Sequence, residues 1–185
     1  MSFRTSEQKM VKEIESTLAG IEESQVDQLI AAIQQAEKVF FVGVGRVLLS
    51  LEAIAKRLAH IGIQTVVVGQ ITEPAITDKD LLIVGSGSGE SAFPLAIAGK
   101  AKTFDAKVAH IGSNPNSSMK EYADIFVRIP VQTKLNLEGE IPSVQPMTSL
   151  FEQSLLLLGD AIALTLIEEK NIDMHGLWRY HANLE

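Results

Sequence analysis

The segment 85–91 carries the residue types that bind a phosphate group. It reads Gly-Ser-Gly-Ser-Gly-Glu-Ser, so its glycines let backbone N–H groups approach a ligand while Ser86, Ser88 and Ser91 supply hydroxyls. A helical segment follows at once, with Pro94 acceptable in its first turn, and the positive end of that helix meets the same point. The pattern predicts a phosphate site that needs no lysine. The alternative is that Ser88 or Ser91 only caps the helix and that the glycines only form a tight turn.

The nucleotide-binding motifs do not fit this loop or the earlier glycine pair at 43–45. A P-loop requires Gly-Lys-Ser/Thr, and no lysine occurs between Lys79 and Lys100. A dinucleotide fingerprint requires a third glycine, and Leu48 or Glu90 stands there instead. The predicted ligand is therefore a phosphorylated small molecule rather than NAD or ATP.

Arg46 and Glu152 are the charged candidates for the same site. Arg46 follows Gly45 after the first predicted strand, where it either pairs with the anion or lies on a helix surface. The segment 149–152 reads Ser-Leu-Phe-Glu and fits the Ser-x-x-Glu capping box, in which the Glu side chain bonds the backbone N–H at the helix start. The pattern alone favours this structural role for Glu152 over catalysis.

Short apolar runs predict the strands that must position these residues. The runs are rich in β-branched and aromatic residues, and they lie at 39–42, 65–68, 81–84, 108–111 and 125–127. Continuous apolarity is typical of parallel strands buried on both faces, and helical segments near 48–61, 92–104 and 117–123 separate most of the runs. We therefore predict an α/β fold in one domain, 1–185, with an open parallel sheet covered by helices on both sides. Loops after three of the strands, including 85–91, then meet at one edge of the sheet.

Two connections and one helix depart from this regular pattern. The connection 69–79 lacks helical periodicity, and 130–147 is bounded and broken by three prolines. Long loops without regular structure often serve as lids or site loops. The segment 148–170 is apolar nearly all round, so we infer that another subunit covers part of it.

Composition and charge exclude several classes of protein. The 185 residues include 16 Lys and Arg against 23 Asp and Glu, an acidic balance that argues against a nucleic-acid partner. There is no Cys, and the four histidines lack metal-ligand spacing, so we expect no metal. The N-terminus lacks a signal-peptide core, and Glu152 and Asp160 interrupt the most apolar stretch, 149–167. We therefore expect no membrane span and a cytoplasmic protein.

Several of these stretches together resemble the 6-phospho-3-hexuloisomerases, which are single-domain members of the sugar isomerase (SIS) superfamily. The similar segments are 41–46 (FVGVGR), 68–69 (VG), 85–91 (GSGSGES), 145–147 (QPM) with 151–153 (FEQ), and the ending 181–185 (HANLE). The resemblance covers essentially the whole chain. It implies a three-layer αβα sandwich with a five-stranded parallel sheet in flavodoxin-like order, usually assembled as a homotetramer.

The resemblance also implies an activity and a set of site residues. The activity is the interconversion of D-arabino-3-hexulose 6-phosphate and fructose 6-phosphate through an enediolate, with no cofactor, in partnership with a hexulose-phosphate synthase of formaldehyde fixation. Glu152 is then the catalytic base, and His181 shuttles protons if the C-terminal tail docks into its own or a neighbour's site. The implied substrate-binding residues are Gly45, Arg46, Ser86, Gly87, Ser88, Gly89, Glu90 and Ser91.

Three positions depart from the family's pattern. Val47 stands where the family has Ser, Ser91 where Thr is usual, and Thr148 where Gly follows Pro-Met. Two alternatives therefore stay open: an SIS isomerase acting on a different sugar phosphate, and a non-catalytic sugar-phosphate-binding SIS regulator. Such regulators usually carry a DNA-binding helical domain, for which this chain has neither the length nor the basic charge.

Overall fold

Five strands form one parallel sheet at the centre of the structure, a computed structural model that describes residues 2–184. They are β1 (Val39–Val42), β2 (Thr65–Val67), β3 (Leu81–Gly85), β4 (Lys107–Gly112) and β5 (Ile125–Arg128). The spatial order is β2-β1-β3-β4-β5, and every neighbouring pair is parallel. The predicted five-stranded sheet with flavodoxin-like order is therefore confirmed.

Helices cover both faces of this sheet. They are α1 (Phe3–Ala19), α2 (Glu23–Gln35), α3 (Gly45–His60), α4 (Ala92–Lys102) and α5 (Ser149–Glu169). On one face Phe41 and Ile83 pack with α2, α3 and α5, and on the other Phe40 and Leu82 pack with α4 and Met119. Successive strand residues thus enter opposite cores, which explains why the strand sequences are apolar without alternation. The predicted three-layer αβα sandwich is confirmed.

Two short 3₁₀ helices complete the regular structure that is described. Ser118–Glu121 precedes β5, at the place where the sequence predicted a helical segment. His175–Tyr180 lies near the C-terminus and packs against α3. The connection 69–79 contains no helix or strand, as its sequence indicated. This connection is anchored by the buried carboxylate of Asp80, which accepts hydrogen bonds from the backbone N–H groups of Lys38 (3.0 Å) and Thr77 (2.8 Å).

Helix α5 packs against α3 and is central to one of the two cores. Its contact with α3 is close at Gly159, where an added Cβ would lie 2.3 Å from Ile54. By length and composition α5 is long and apolar enough to cross a membrane, yet more than half of its most apolar stretch is buried inside the protein. Leu157 and Leu164 stay exposed on the remaining surface. The subunit contact inferred from its apolar sequence stays a prediction.

Segment 130–147 crosses the carboxyl edge of the sheet without helix or strand, apart from one bridge between Val131 and Ile141. Two carboxylates fix its course. Glu140 accepts hydrogen bonds from the N–H groups of Thr133 (3.0 Å) and Leu137 (2.9 Å). Glu13 of α1 holds the other end, where it accepts from the Ser143 hydroxyl (2.8 Å), the Val144 N–H (2.8 Å) and the Gln145 amide (3.1 Å). Glu140 therefore holds the loop's own turn together, and Glu13 ties residues 143–145 of the loop to α1.

Candidate active site

A cavity of about 640 Å³ opens at the carboxyl edge of the sheet, where β1 and β3 end. Its walls come from the start of α3, the loop after β3, segment 130–147 and the start of α5. This volume lies within the usual range for small-molecule sites. The structure brings seven of the predicted site residues into its lining: Gly45, Arg46, Ser86, Gly87, Ser88, Ser91 and Glu152.

The loop after β3 is shaped by hydrogen bonds among its own residues. The Gly89 N–H donates to the Ser86 hydroxyl (3.1 Å) and the Ser86 carbonyl (3.2 Å), and the Glu90 N–H donates to the Ser88 hydroxyl (3.3 Å). Ser91 occupies the N-cap position of α4, but its hydroxyl accepts no capping hydrogen bond from the helix. The side-chain capping alternative therefore fails for Ser91, and its hydroxyl lies at the cavity beside that of Ser86 (3.4 Å).

Gly89 and Glu90 shape this loop from outside the cavity lining. Gly89 has φ +69°, and a Cβ there would lie 2.1 Å from the Ser117 hydroxyl, so only glycine fits. The Glu90 carboxylate accepts a hydrogen bond from the Ser118 N–H at 2.7 Å, and that contact lowers the pKa of Glu90 below its usual range. Neither residue lines the cavity, and the predicted contact of Gly89 and Glu90 with the substrate stays a prediction.

Glu152 and Arg46 form an ion pair inside the cavity. The Arg46 Nε donates to Oε2 of Glu152, and the Thr148 hydroxyl donates to Oε1 at 3.2 Å. Glu152 is 8% exposed, whereas the Arg46 side chain is 66% exposed. Arg46 thus has a carboxylate partner at the cavity, and its predicted pairing with the substrate anion stays a prediction. The arrangement presents a buried, hydrogen-bonded carboxylate to the cavity.

The capping box predicted for 149–152 is wrong. Helix α5 has Thr148 as its N-cap, so Ser149 is already the first helical residue and Glu152 lies one position beyond the one that a capping box uses. The carboxylate turns to Arg46 instead of back to the helix start. The Ser50 hydroxyl donates to the Glu152 carbonyl (2.9 Å), and this hydrogen bond fixes the first turn of α5 on α3.

His181 does not reach this cavity within its own chain. Its ring stacks on His60, at a centroid distance of 5.3 Å, near the C-terminal end of α3. Arg46 lies at the opposite end of the same helix, roughly 21 Å away along the axis. The predicted His181 shuttle is therefore not assembled by one chain, and only docking of the tail into a neighbour's cavity leaves it possible. Glu185, the last residue of the similar C-terminal segment, lies outside the described residues.

One wall of the cavity consists of residues to which the sequence assigned no individual role in the site, although Gln145 and Met147 belong to the similar segment 145–147. They belong to segment 130–147 and are Gln132, Thr133, Lys134, Asn136, Ser143, Gln145 and Met147. Its length and prolines predicted a site loop, but nothing local distinguished the residues that face inward. Lys134 adds a second cation to the lining, beside Arg46. Among residues 2–184 no group of three or more His, Asp or Glu side chains is placed to hold a metal ion.

The comparisons with known proteins match this architecture. The SIS domain family model matches residues 32–158. The 3-hexulose-6-phosphate isomerase of Bacillus subtilis is 39% identical over 96% of this chain and 96% of its own length, and that of Mycobacterium gastri is 38% identical over 94% and 86%.

A solved structure from Methanococcus jannaschii, described as inferring a function of 3-hexulose-6-phosphate isomerase, agrees with a TM-score of 0.85. It is 28% identical to this chain and covers 98% of it and 99% of its own chain. The glycine–serine loop, the cavity and Glu152 thus occur on a chain that is similar to these enzymes over nearly its full length. The chain belongs to the SIS domain family and, within it, to the 3-hexulose-6-phosphate isomerases, which are sugar-phosphate isomerases.

Proposed function

We propose that this enzyme interconverts D-arabino-3-hexulose 6-phosphate and fructose 6-phosphate. The observation that carries the proposal is that one cavity holds both a glycine–serine loop suited to phosphate and the buried carboxylate of Glu152. The names of the relatives from Bacillus subtilis and Mycobacterium gastri support the same reaction.

The loop after β3 binds the phosphate group in this proposal. The hydroxyls of Ser86, Ser88 and Ser91 border the cavity together with Gly87, and α4 begins directly behind them. Hydroxyl donors, backbone N–H groups and a helix N-terminus suit a dianion without a lysine in the loop. Binding energy from this remote group then orients the sugar carbons over the reacting carboxylate.

Glu152 acts as the base that moves the carbonyl. It removes the proton from C2 of the hexulose, the C2–H electron pair forms the C2–C3 double bond of a cis-enediolate, and the carbonyl electrons move to O3. The same carboxyl then returns a proton to C3, and the C2–O bond becomes the new carbonyl. A single group placed over both carbons serves both steps. Because C2 is oxidised and C3 is reduced within the same molecule, the reaction balances without a cofactor.

A second group must move protons between O2 and O3, and His181 is our proposal for it. Histidine titrates near neutral pH and therefore suits such a transfer. Because His181 lies at the far end of α3 in its own chain, this role requires the tail of another subunit. The exposed Leu157 and Leu164 on α5 support an oligomer, which we propose to be a homotetramer.

All three departures from the family's pattern line the cavity, and two of them favour one alternative. Val47 borders it, and Thr148 both borders it and bonds the Glu152 carboxylate at 3.2 Å. A side chain where the family has glycine changes the space next to the base. The alternative is therefore the same isomerisation chemistry on a different sugar phosphate.

In its cellular setting the enzyme acts, in our proposal, in the cytoplasm as a single-domain subunit. A hexulose-phosphate synthase of formaldehyde fixation supplies its substrate.

Substrate comparison tests the proposed function directly. The full chain is assayed with 3-hexulose 6-phosphate, and fructose 6-phosphate is measured by coupling to glucose 6-phosphate formation. Arabinose 5-phosphate serves as the competing substrate, with ribulose 5-phosphate as its product. We expect turnover of the hexulose phosphate at a kcat/KM at least about tenfold above that of the pentose phosphate. The reverse preference would replace the proposed substrate with the alternative, and no turnover of either would refute isomerase chemistry in this cavity.

A further inference from the structure

A buried histidine, His110, lies directly beneath the phosphate loop. It is on β4, is 1% exposed and does not line the cavity. Its Nε2 lies 2.9 Å from the Ser86 carbonyl oxygen. A carbonyl oxygen only accepts hydrogen bonds, so Nε2 carries the proton and donates it. The ring therefore holds the loop by a hydrogen bond on the side away from the cavity.

The space around this hydrogen bond is kept open by two glycines. A Cβ on Gly112 would lie 2.4 Å from His110 Nε2 and 2.6 Å from the Ser86 oxygen, so any side chain there would occupy the hydrogen bond itself. A Cβ on Gly89 would lie 3.1 Å from the same ring. Phe126 on β5 packs against the ring at a centroid distance of 5.2 Å. Ring, carbonyl and glycines fit together as one packed unit.

The orientation of the Ser86 carbonyl determines the direction of the next N–H. The Ser86 C=O and the Gly87 N–H belong to one planar trans peptide, so they point in opposite directions. Because the carbonyl points to His110, the Gly87 N–H points away from the sheet core. Within residues 2–184 the N–H groups of Gly87 and Ser88 donate no hydrogen bond, whereas those of Ser86 and Gly89 do. Both residues line the cavity.

We propose that His110 is a positioning residue for the phosphate subsite: by holding the Ser86 carbonyl, it directs the Gly87 N–H into the cavity to bind a phosphate oxygen. The inference rests on the proposed function, because it assumes that the loop after β3 receives the phosphate. His110 acts through the peptide that it holds and touches no substrate atom.

The charge state of the ring agrees with this role. Burial lowers the pKa of His110 to about 4, although its hydrogen bond to Ser86 opposes that shift. The ring is therefore neutral throughout the range in which the enzyme would be assayed, and it offers one fixed N–H donor. The affinity for phosphate should therefore have no pH dependence caused by His110 between about pH 6 and 8.

A matched pair of substitutions separates the donor from the bulk of the ring. His110→Gln keeps an N–H donor at a similar reach, whereas His110→Met has a similar volume and no donor. Calorimetry measures fructose 6-phosphate and fructose binding to each full-length protein, with thermal unfolding as a control. We expect His110→Met to bind fructose 6-phosphate about 10- to 100-fold more weakly, and His110→Gln to recover most of that loss. Fructose binding should stay unchanged in both.

A spectroscopic measurement on the wild-type protein stands independently of the variants' folding. The ¹⁵N-labelled chain is titrated with inorganic phosphate, and the Gly87 amide proton should move downfield as the site fills. Three results would each overturn the role of His110. They are equal fructose 6-phosphate affinity in wild type and His110→Met, equal losses of affinity in the Met and Gln variants, and a Gly87 amide proton that does not shift. Wild-type protein that binds fructose 6-phosphate no better than fructose would overturn the proposed phosphate site as well, which distinguishes the two failures.

Discussion

Replacing Glu152 with Gln removes a proton acceptor while nearly preserving the shape of the side chain. In the structure one carboxylate oxygen accepts from Arg46 and the other from Thr148. The amide oxygen of Gln can still accept from Arg46, and its NH₂ group can donate to the Thr148 hydroxyl, so the loss is the charge of the ion pair. The substitution therefore affects both the stability of the cavity and the chemistry, and their magnitudes can be compared.

The effect on stability should be small. The Arg46 side chain is 66% exposed, so water solvates its charge when the carboxylate is gone, and the ion pair behaves like a surface pair. Such pairs contribute roughly 0–1 kcal/mol. For a domain of this size, a loss of that order lowers the melting temperature by about 2–4 °C.

The effect on catalysis should be far larger. A neutral amide cannot take the proton from C2, and the loss of a general base reduces the rate by about 10²- to 10⁴-fold, which corresponds to a barrier raised by about 3–5 kcal/mol. The assay couples fructose 6-phosphate formation to a glucose 6-phosphate readout. In ²H₂O, exchange of solvent deuterium into C3 of fructose 6-phosphate should be lost to the same degree. Calorimetry with fructose 6-phosphate should still detect binding.

Glu90→Gln is the comparison that tests the assignment of the base. It changes the other carboxylate near the loop, and its amide oxygen can still accept from the Ser118 N–H. Because Glu90 is turned away from the cavity, we expect its loss of turnover to stay below about tenfold. A Glu152→Gln enzyme with wild-type turnover and normal deuterium exchange would refute the reasoning, and a large loss in Glu90→Gln would identify the base instead.

Three further predictions concern stability and the loop over the site. Asp80→Asn should lower the free energy of unfolding by about 2–4 kcal/mol in urea titrations, because the buried carboxylate pairs with Lys38 and accepts backbone N–H groups; a loss below about 0.5 kcal/mol would contradict this. The folded protein keeps His110 neutral down to about pH 4, whereas an unfolded histidine protonates near 6.5, so stability should fall by about 3 kcal/mol as the pH drops through this window. His110→Gln should reduce the pH dependence of the free energy of unfolding, and an unchanged dependence would show that His110 is not its cause. Glu13→Gln should increase protease cleavage at 143–145 and raise KM, because the side chain loses one of the two carboxylate oxygens that hold this part of the loop. The control is Glu15→Gln on the exposed side of α1, which should change neither quantity. Equal cleavage of the two variants would show that Glu13 does not anchor the loop.

The fold could be predicted from the sequence because its signals are local and repeated. Each strand is a short, continuously apolar run, and burial on both faces requires that composition. The place of the glycine–serine loop at the cavity was predictable for a related reason, since loops that follow parallel strands meet at the carboxyl edge of the sheet. The 3₁₀ helix Ser118–Glu121 is shorter than the helical segment expected there, because a pattern over a few residues does not fix the type or the length of a helix.

The other half of the site depended on tertiary structure. His110 looks like any strand residue in the sequence, and only the pairing of β3 with β4 places it beneath Ser86. The inward-facing residues of segment 130–147 follow from two carboxylates, Glu140 within the segment and Glu13 on α1, rather than from a periodic pattern. In a loop without a repeating backbone geometry, the sequence does not predict which side chains face a ligand.

The capping-box interpretation of Glu152 failed for a reason that extends to other sites at this edge of a sheet. A side chain at a helix start can bond a neutral backbone N–H nearby or a charged group brought from elsewhere. A hydrogen bond to a charged group contributes roughly twice as much to stability as a neutral one, so the carboxylate pairs with a guanidinium where one is within reach. Here Arg46 stands 106 positions earlier in the chain and reaches Glu152 because the start of α3 and the start of α5 both meet the carboxyl edge. Parallel sheets gather distant residues at that edge, and a local motif there competes with partners that its own spacing does not reveal.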